Sequence, residues 1–580
     1  MSLIHSNLLA TTPFNFTVNP VLFLLPIKLQ LHLCLDSLIL FLNAFCLLLL
    51  RKRFTAFYSV LTFMIAFSAL LFAIYINVMN QVTLYDLGHI TKTKTFSLFW
   101  DSFEISHNIL KLKFWFFTGN IFLLLFLYDS FRKTSEKDNL YFTLPLMILF
   151  LSAVGSLVLS AANLLTLLLC IETFSFLGLY IIRFSSNKLS AEASLLYFFM
   201  NLLATGFLSL GFLLVYIGTG EYTVSNISDY ILAYYNQNEQ LTLNSNITFG
   251  LGLILGTFLF KIAAFPCFFW MPLTFKAMSF AGIAVTSYTI KYINICLFVK
   301  LSSVILPTYL LNSSNALWIL ICSFGSIFVG TFLALNEFNF RKFMAFTSIN
   351  QMGYILLGFL TLASNNAAAL DSILYFIFIY FLSSLLFLSS LASLRINNLQ
   401  LNTLSDLRLL YQQHPGNLWF CLLSVFTMAG LPPTAGFWAK YYVLRNCWDA
   451  SLMLNWDTTF VHLLQLTLGI IVFMNFFSAI YYIRLIIMLI FNPINLVWLT
   501  SWKSNHATRS VLKRFWAACH DTQHPDYSKG LRNVMFEQWG TVPALLKQNV
   551  NEYLNIEFVV KSLQLFCAGF IIIDFVARLV

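Results

Sequence analysis

The chain has 580 residues, 59% of them hydrophobic and 10% charged, and a mean hydropathy of +0.80. A soluble domain carries about 25% charged residues, and a water-soluble fold of this composition would expose apolar patches large enough to aggregate. The same apolar content excludes intrinsic disorder, which leaves a polytopic membrane protein. The formal charge of +10 comes from 33 Lys and Arg against 23 Asp and Glu. These basic residues stand in short segments between apolar runs, the pattern of topology signals and not of a nucleic-acid-binding face.

In chain order the apolar runs predict an all-α fold of about fourteen transmembrane helices. The first three cover about 33–50, 54–80 and 112–130. The next five cover about 140–160, 163–183, 190–218, 247–270 and 278–300, with the fourth and fifth parting at Asn163. A further five cover about 315–336, 341–361, 366–394, 416–445 and 462–491, and the last about 558–578. The division that follows is an N-terminal three-helix region (1–139), a first five-helix repeat (140–300), a second (301–491), an extramembrane connector (492–556) and a C-terminal helix (557–580). Each set of five places a lysine and a proline-broken helix in its fourth member; an odd number of spans inverts the second copy. Segment 219–246, acidic and free of Lys and Arg, reads as a solvated outer loop. Segment 492–556, with Trp502, Trp516 and Trp539 among basic residues, reads as an interfacial connector or a partner-docking surface.

Alternate short loops differ in basic content. One set, from Arg51, Lys52 and Arg53 to Arg395 and Arg408, holds thirteen Lys and Arg; the other, Lys92, Lys94, Lys111, Lys113, Lys300 and Arg445, holds six. The positive-inside rule then puts both termini outside and segment 492–556 inside.

Four ionisable residues fall at bilayer depth, where charge is costly and needs a partner, water or a function. Glu172 is in span five, Lys261 in span seven, Lys291 in span eight and Lys440 in span twelve. At 1.5 Å per residue Lys261 and Lys291 lie roughly 20 Å from the start of their spans, too deep in a core of about 30 Å to reach water easily. Fixed ion pairs that orient helices are one reading. Three lysines cannot all pair with one glutamate, however, and an ammonium out of water is disfavoured against the neutral amine. An acid–lysine pair whose separation changes would therefore bind and release protons. Pro266 follows Lys261, and Pro432 and Pro433 precede Lys440. Proline frees carbonyls of the preceding turn, which at membrane depth is tolerated inside protein or along a watery cavity. Thr347, Ser348, Asn350 and Gln351 in span ten, and Tyr375, Tyr380, Ser383 and Ser384 in span eleven, are helix-packing hydrogen bonders or contacts along a water path. Glu192 and Asp371 sit near span starts, where an acid suits the helix dipole.

None of the ten cysteines forms a C-x-x-C pair, the histidines show no metal spacing, and no nucleotide-binding motif occurs. No metal and no cofactor are expected on this chain. A cleavable signal and an Arg- and Ser-rich transit peptide are lacking, which predicts insertion in the compartment of synthesis; the 63 Phe residues fit the A+T-rich codons of an organelle genome.

Several stretches are specific in combination: Ser190-Ala191-Glu192-Ala193, Phe260-Lys261-Ile262-Ala263-Ala264-Phe265-Pro266, Asn339-Phe340-Arg341-Lys342, Gln351-Met352-Gly353-Tyr354, and Ala429-Gly430-Leu431-Pro432-Pro433 with Gly436-Phe437-Trp438-Ala439-Lys440. From about Glu172 to Lys440 the chain resembles the antiporter-like membrane subunits of respiratory complex I. The resemblance implies fourteen helices, two inverted five-helix repeats and broken helices seven and twelve. It implies proton transfer through Glu172, Lys261, Lys291 and Lys440, driven by quinone reduction elsewhere in the complex. Implied partners are other membrane-arm subunits, including neighbouring antiporter-like chains, and membrane lipids; the implied location is the mitochondrial inner membrane. A subunit of a cation/proton antiporter of the same fold is the alternative, and a scaffold bundle that has lost transport is a third reading that the four retained charges oppose. The N-terminal region matches poorly, and segments 81–111 and 492–556 are longer than the family pattern.

Overall fold

The computed structural model describes residues 34–50, 56–87, 96–99, 101–132, 138–183, 188–237, 245–304, 313–362, 367–392, 403–404, 407, 415–432, 434–453 and 456–490. The helix expected at 558–578, the connector 492–556 and Pro433 lie outside the described residues.

Lipid offers backbone N–H and C=O groups no partner, so apolar runs bounded by polar residues satisfy themselves as helices. The N-terminal region holds α1 (Leu35–Leu50), α2 (Ala56–Leu87) and α3 (His107–Arg132). Then come α4 (Asp138–Ser160), α5 (Leu164–Arg183), α6 (Lys188–Thr219), α7 (Val224–Gln237) and α8 (Ser245–Ile262). After a break, α9 (Trp270–Ala277) and α10 (Phe280–Val285) lead through a π-helical turn at Thr286–Ile290 into α11 (Lys291–Val304). The remainder is α12 (Ser313–Asn336), α13 (Phe340–Thr361), α14 (Ala367–Ala392), α15 (Pro415–Ala429), α16 (Ala435–Met453) and α17 (Thr458–Ile490).

Among the described residues, ten helices are long and apolar enough to cross a membrane, and three shorter apolar ones accompany them at Leu35–Leu48, Asn246–Ile262 and Gly416–Ala429. Two of the short ones are the leading halves of interrupted spans. A membrane-spanning window of α13 is fully buried and that of α10–α11 is 94% buried, against 33% for α6 and 28% for α17. The first two therefore form the interior, and the last two present long lipid-facing sides. Small residues draw the inner helices close: a Cβ on Gly330 of α12 would come 2.7 Å from the backbone nitrogen of Asn350 on α13.

Three features depart from the sequence expectation. Segment 219–246 contains α7, which buries Val224, Ile227 and Ile231 on one face, so its polar residues hid a 3.6-residue period. Within 81–111, β1 (Phe96–Leu98) and β2 (Phe103–Ile105) form an antiparallel hairpin with Ser97 opposite Glu104. Lys113 and Lys300, taken as loop signals, are buried in ion pairs instead. Lys113 meets Asp36 of α1 at 3.2 Å, the two side chains 2% and 0% exposed. Lys300 meets Glu104 of the hairpin at 2.7 Å and donates to the carbonyls of Leu159 and Ala161 at the end of α4. Proximity to span ends disguised both; removing them from the loop count widens the topological bias.

Lys113→Met would leave the Asp36 carboxylate uncompensated in a dry site, a loss of about 3–5 kcal/mol. Thermal unfolding of the purified protein should shift down for Lys113→Met and much less for Asp36→Asn with Lys113→Met together, because the double variant strands no charge.

Candidate functional site: lysines at two helix breaks

Helix α8 ends at Ile262 because the chain cannot continue helically towards Pro266, which has no N–H. Ala263 takes a positive φ of 61°, and the Phe265–Pro266 peptide is cis. The carbonyls opened by the break are taken up locally. Ala264 N–H donates to Leu259 at 2.9 Å, while Ala263 N–H and the Trp270 indole donate to Phe260 at 3.0 and 3.1 Å. Lys261 stands in the last turn of α8, 7% exposed, and its Nζ donates to Asn201 Oδ1 of α6 at 3.2 Å. It lines a cavity of about 20 Å³ with Ser175, Tyr197, Asn201, Trp270 and Asn294, room for roughly one water molecule. Half-buried Glu172 of α5 lines a second, smaller cavity, which shares Ser175, Tyr197 and Asn201 with the first. The structure thus brings Glu172 and Lys261 to adjoining cavities with the Asn201 amide common to both.

Lys291 begins α11 directly after the π-helical turn. Such turns insert one residue into a helix and recur at functional sites. Its Nζ is buried and has no hydrogen-bond partner among the described residues; the Phe275 ring lies 5.9 Å away. Ile290 and Asn294, on either side of it in sequence, line the Lys261 cavity, so the helix of Lys291 forms one wall of that cavity.

The second break separates α15 from α16. Pro432 cannot donate to the carbonyl four residues before it, Met428, and α15 ends with the Ala429 carbonyl. Both orphaned oxygens are claimed by side chains: Gln351 Nε2 of α13 donates to Met428 at 3.1 Å, and Lys440 Nζ donates to Ala429 at 3.0 Å. Lys440, 5% exposed, also donates to Asn475 Oδ1 of α17 at 3.3 Å, and that oxygen accepts from the Tyr354 hydroxyl at 2.6 Å. The Tyr354 ring lies 5.1 Å from the ammonium. Gln351, Tyr380, Ser383 and Gly436 line a cavity of about 10 Å³ beside Lys440.

Lys440 and its break belong to this second cavity, apart from Glu172 and Lys261. Pro266 and Pro432 sit at the two breaks. Asn350 donates to the Tyr481 hydroxyl at 3.0 Å, while Thr347 and Ser348 bond within their own helix. Glu192 and Asp371 are exposed near helix starts. Asn201 and Asn475 escaped the sequence reading. The available signal was a single asparagine inside a long apolar helix, which lipid alone would not tolerate.

Gly430 takes a φ of 74°, and a Cβ there would meet Lys440 Cδ at 2.9 Å. Gly430→Ala should cost about 1–3 kcal/mol in backbone strain and push the lysine off Ala429. A lowered melting temperature of the purified protein checks this; an unchanged one contradicts it.

A family model for the NADH:quinone oxidoreductase/Mrp antiporter transmembrane region matches residues 161–467, more than half of the chain. NADH-quinone oxidoreductase subunit N of Hirschia baltica is 31% identical over 319 residues, covering 55% of this chain and 64% of that one. The chain therefore spans just under two thirds of that relative's length. A chain of respiratory complex I from Thermus thermophilus superposes with a TM-score of 0.60 at 20% identity, covering 79% of this chain and 91% of that chain. A chain of the Mrp complex from Dietzia sp. gives 0.63 at 17% identity, covering 80% and 81%. These two likenesses concern the fold. The matched region contains Glu172, Lys261, Lys291 and Lys440, both breaks and Asn201, while Asn475 lies just beyond it, and by that match the chain belongs to the NADH:quinone oxidoreductase/Mrp antiporter family of membrane proteins.

Proposed function

We propose that this chain is a proton-translocating membrane-arm subunit of respiratory complex I, the counterpart of chain 2 and of bacterial subunit N, which couples electron transfer from NADH to ubiquinone to proton pumping. Electron transfer belongs to other subunits, and this chain has no redox cofactor or metal of its own. Its partners are neighbouring antiporter-like subunits and membrane lipids, and its place is the mitochondrial inner membrane with an organelle gene, in keeping with the 63 Phe residues. Within the resemblance, chain 4 has a glutamate where this chain has Lys440, which favours chain 2.

The observation that carries the reading is Lys261: a buried cation on a broken helix, held by a neutral amide, with Glu172 lining the adjoining cavity that shares Asn201. A carboxylate beside an ammonium stabilises the charged amine; its withdrawal leaves the neutral amine favoured and a proton free to move. Lys291, whose amine has no hydrogen-bond partner among the described residues, is the intermediate acceptor next to that cavity. Lys440 is the corresponding carrier of the second half.

Lys261→Ala should lower NADH-driven proton uptake into vesicles by roughly tenfold or more, with NADH oxidation by an artificial electron acceptor intact. Full pumping by an assembled Lys261→Ala complex would sink the assignment. Lys291→Ala should likewise slow coupled turnover. The second reading, a subunit of a cation/proton antiporter, draws on the family's Mrp members and the 0.63 superposition. Co-purification separates the two: flavin and iron–sulfur subunits accompany the chain in the first, and Na⁺-dependent exchange without them marks the second.

A further inference from the structure

Lys261 and Lys440 share a feature that the family motifs do not contain. Each amine meets the side-chain amide oxygen of an asparagine on a neighbouring long helix, Asn201 on α6 at 3.2 Å and Asn475 on α17 at 3.3 Å. An ammonium has donors only, so the atom facing it is the amide oxygen. At Asn475 the same oxygen also accepts from Tyr354 at 2.6 Å, which fixes the amide's orientation by a second bond. Lys440 also donates to the Ala429 carbonyl, again a neutral acceptor.

We propose that Asn475 is a positioning residue of the proton path, holding the Lys440 amine in place through a neutral acceptor, and that Asn201 does the same for Lys261. An amide oxygen accepts a hydrogen bond from –NH₃⁺ and from –NH₂ alike. It therefore keeps the nitrogen where it is while the proton comes and goes. A carboxylate in the same position would add Coulomb attraction for the charged form alone, and in a low-dielectric site that attraction is strong. The amine would then stay charged and the transfer would stall. Lys300 has the contrasting arrangement: Glu104 and two carbonyls together give its ammonium one acceptor for each of its three N–H bonds. The asparagines are thus selected for what they lack, a charge, as much as for the bond they accept.

This inference rests on the proposed proton-carrying role of the lysines, and the test separates the two. The complex containing this chain is purified with Asn475→Asp, Asn475→Leu or Lys440→Ala and reconstituted in vesicles, and subunit content and NADH oxidation by an artificial acceptor verify assembly. The titratable groups facing the Lys440 amine are Tyr354 of α13 and Tyr380 of α14; α15 and α17 present to it the Ala429 carbonyl and the Asn475 amide. Aspartate keeps the shape of asparagine and both bonds. It should nevertheless lower proton pumping roughly tenfold and move its pH profile to higher pH. Leucine, which loses both bonds, should lower pumping less and leave the profile unmoved. A structural role predicts the opposite order. Parental pumping by Asn475→Asp, or equal losses for Asp and Leu with an unmoved profile, overturns the inference. Where Lys440→Ala fails to pump and Asn475→Asp pumps normally, the asparagine inference alone falls; where Lys440→Ala pumps normally, the role of the lysine falls with it. If Asn475→Asp does not assemble, Asn201→Asp poses the same question at Lys261, with the same two outcomes.

Discussion

A polar group removed from water must find its partner inside the protein, and this requirement shapes the molecule more than any other. It forces the apolar runs into helices and then governs what happens where a helix fails. At the second break, where Pro432 follows the end of α15, the Met428 and Ala429 carbonyls take their donors from the side chains of Gln351 and Lys440. The break and the buried lysine are thus one arrangement. The prolines create an acceptor at membrane depth, and that acceptor makes a cation there tolerable. At the first break the indole of Trp270 and two backbone amides perform the repair, which leaves Lys261 to turn towards Asn201.

The buried lysines form a graded series by the partners they have. Lys300 holds a carboxylate and two carbonyls, and Lys113 holds the Asp36 carboxylate. Lys261 and Lys440 are held by neutral oxygens, and Lys291 has no hydrogen-bond partner among the described residues. The first two tie secondary elements together: Lys113 joins α3 to α1, and Lys300 joins α11 to α4 and the hairpin. For them a fixed charge is an asset, because a satisfied ion pair pins geometry. The other three lack a carboxylate within ion-pair distance among the described residues: Lys261 and Lys440 have neutral oxygens as acceptors, and Lys291 lies 5.9 Å from the Phe275 ring. Charge count alone does not distinguish the groups; the chemistry of the acceptor does.

Much of this was legible in the sequence, for reasons that also mark its limits. Hydrophobic runs are long and unambiguous in a membrane chain, so α4, α5, α6, α12, α13 and α14 stand close to their expected spans. Lysines and prolines inside such runs announce themselves, because nothing apolar explains them. Asn201 and Asn475 did not: an isolated asparagine on a transmembrane helix reads equally well as helix-packing glue, and only the fold reveals which side chain it faces. The hairpin at 96–105 was hidden because three-residue strands give no usable period. The π-helical turn before Lys291 leaves no mark in composition at all. Lys113 and Lys300 misled through position, since a lysine at the end of a span is ordinarily a solvated anchor and here two carboxylates, one of them on the hairpin, draw each inward.

The two breaks also solve one electrostatic problem from opposite directions. Lys261 precedes its break and lies in the last turn of α8; Lys440 follows its break and reaches back to Ala429, the last residue of α15. The Lys440 amine therefore sits at the C-terminal end of α15, and Lys261 belongs to the last turn of α8, two helix ends that each carry a partial charge of about −0.5. Such an end attracts a cation without being a titratable group. It cannot take the proton itself, and it does not disappear when the amine is neutral. A halted helix is in this sense a permanent, proton-inert counter-charge, and the neutral asparagines complement it by adding position without adding charge. Pro266 and Pro432, which follow α8 and α15, thus contribute more than flexibility or a bend: they end a helix beside a buried lysine and put a non-titratable negative pole there.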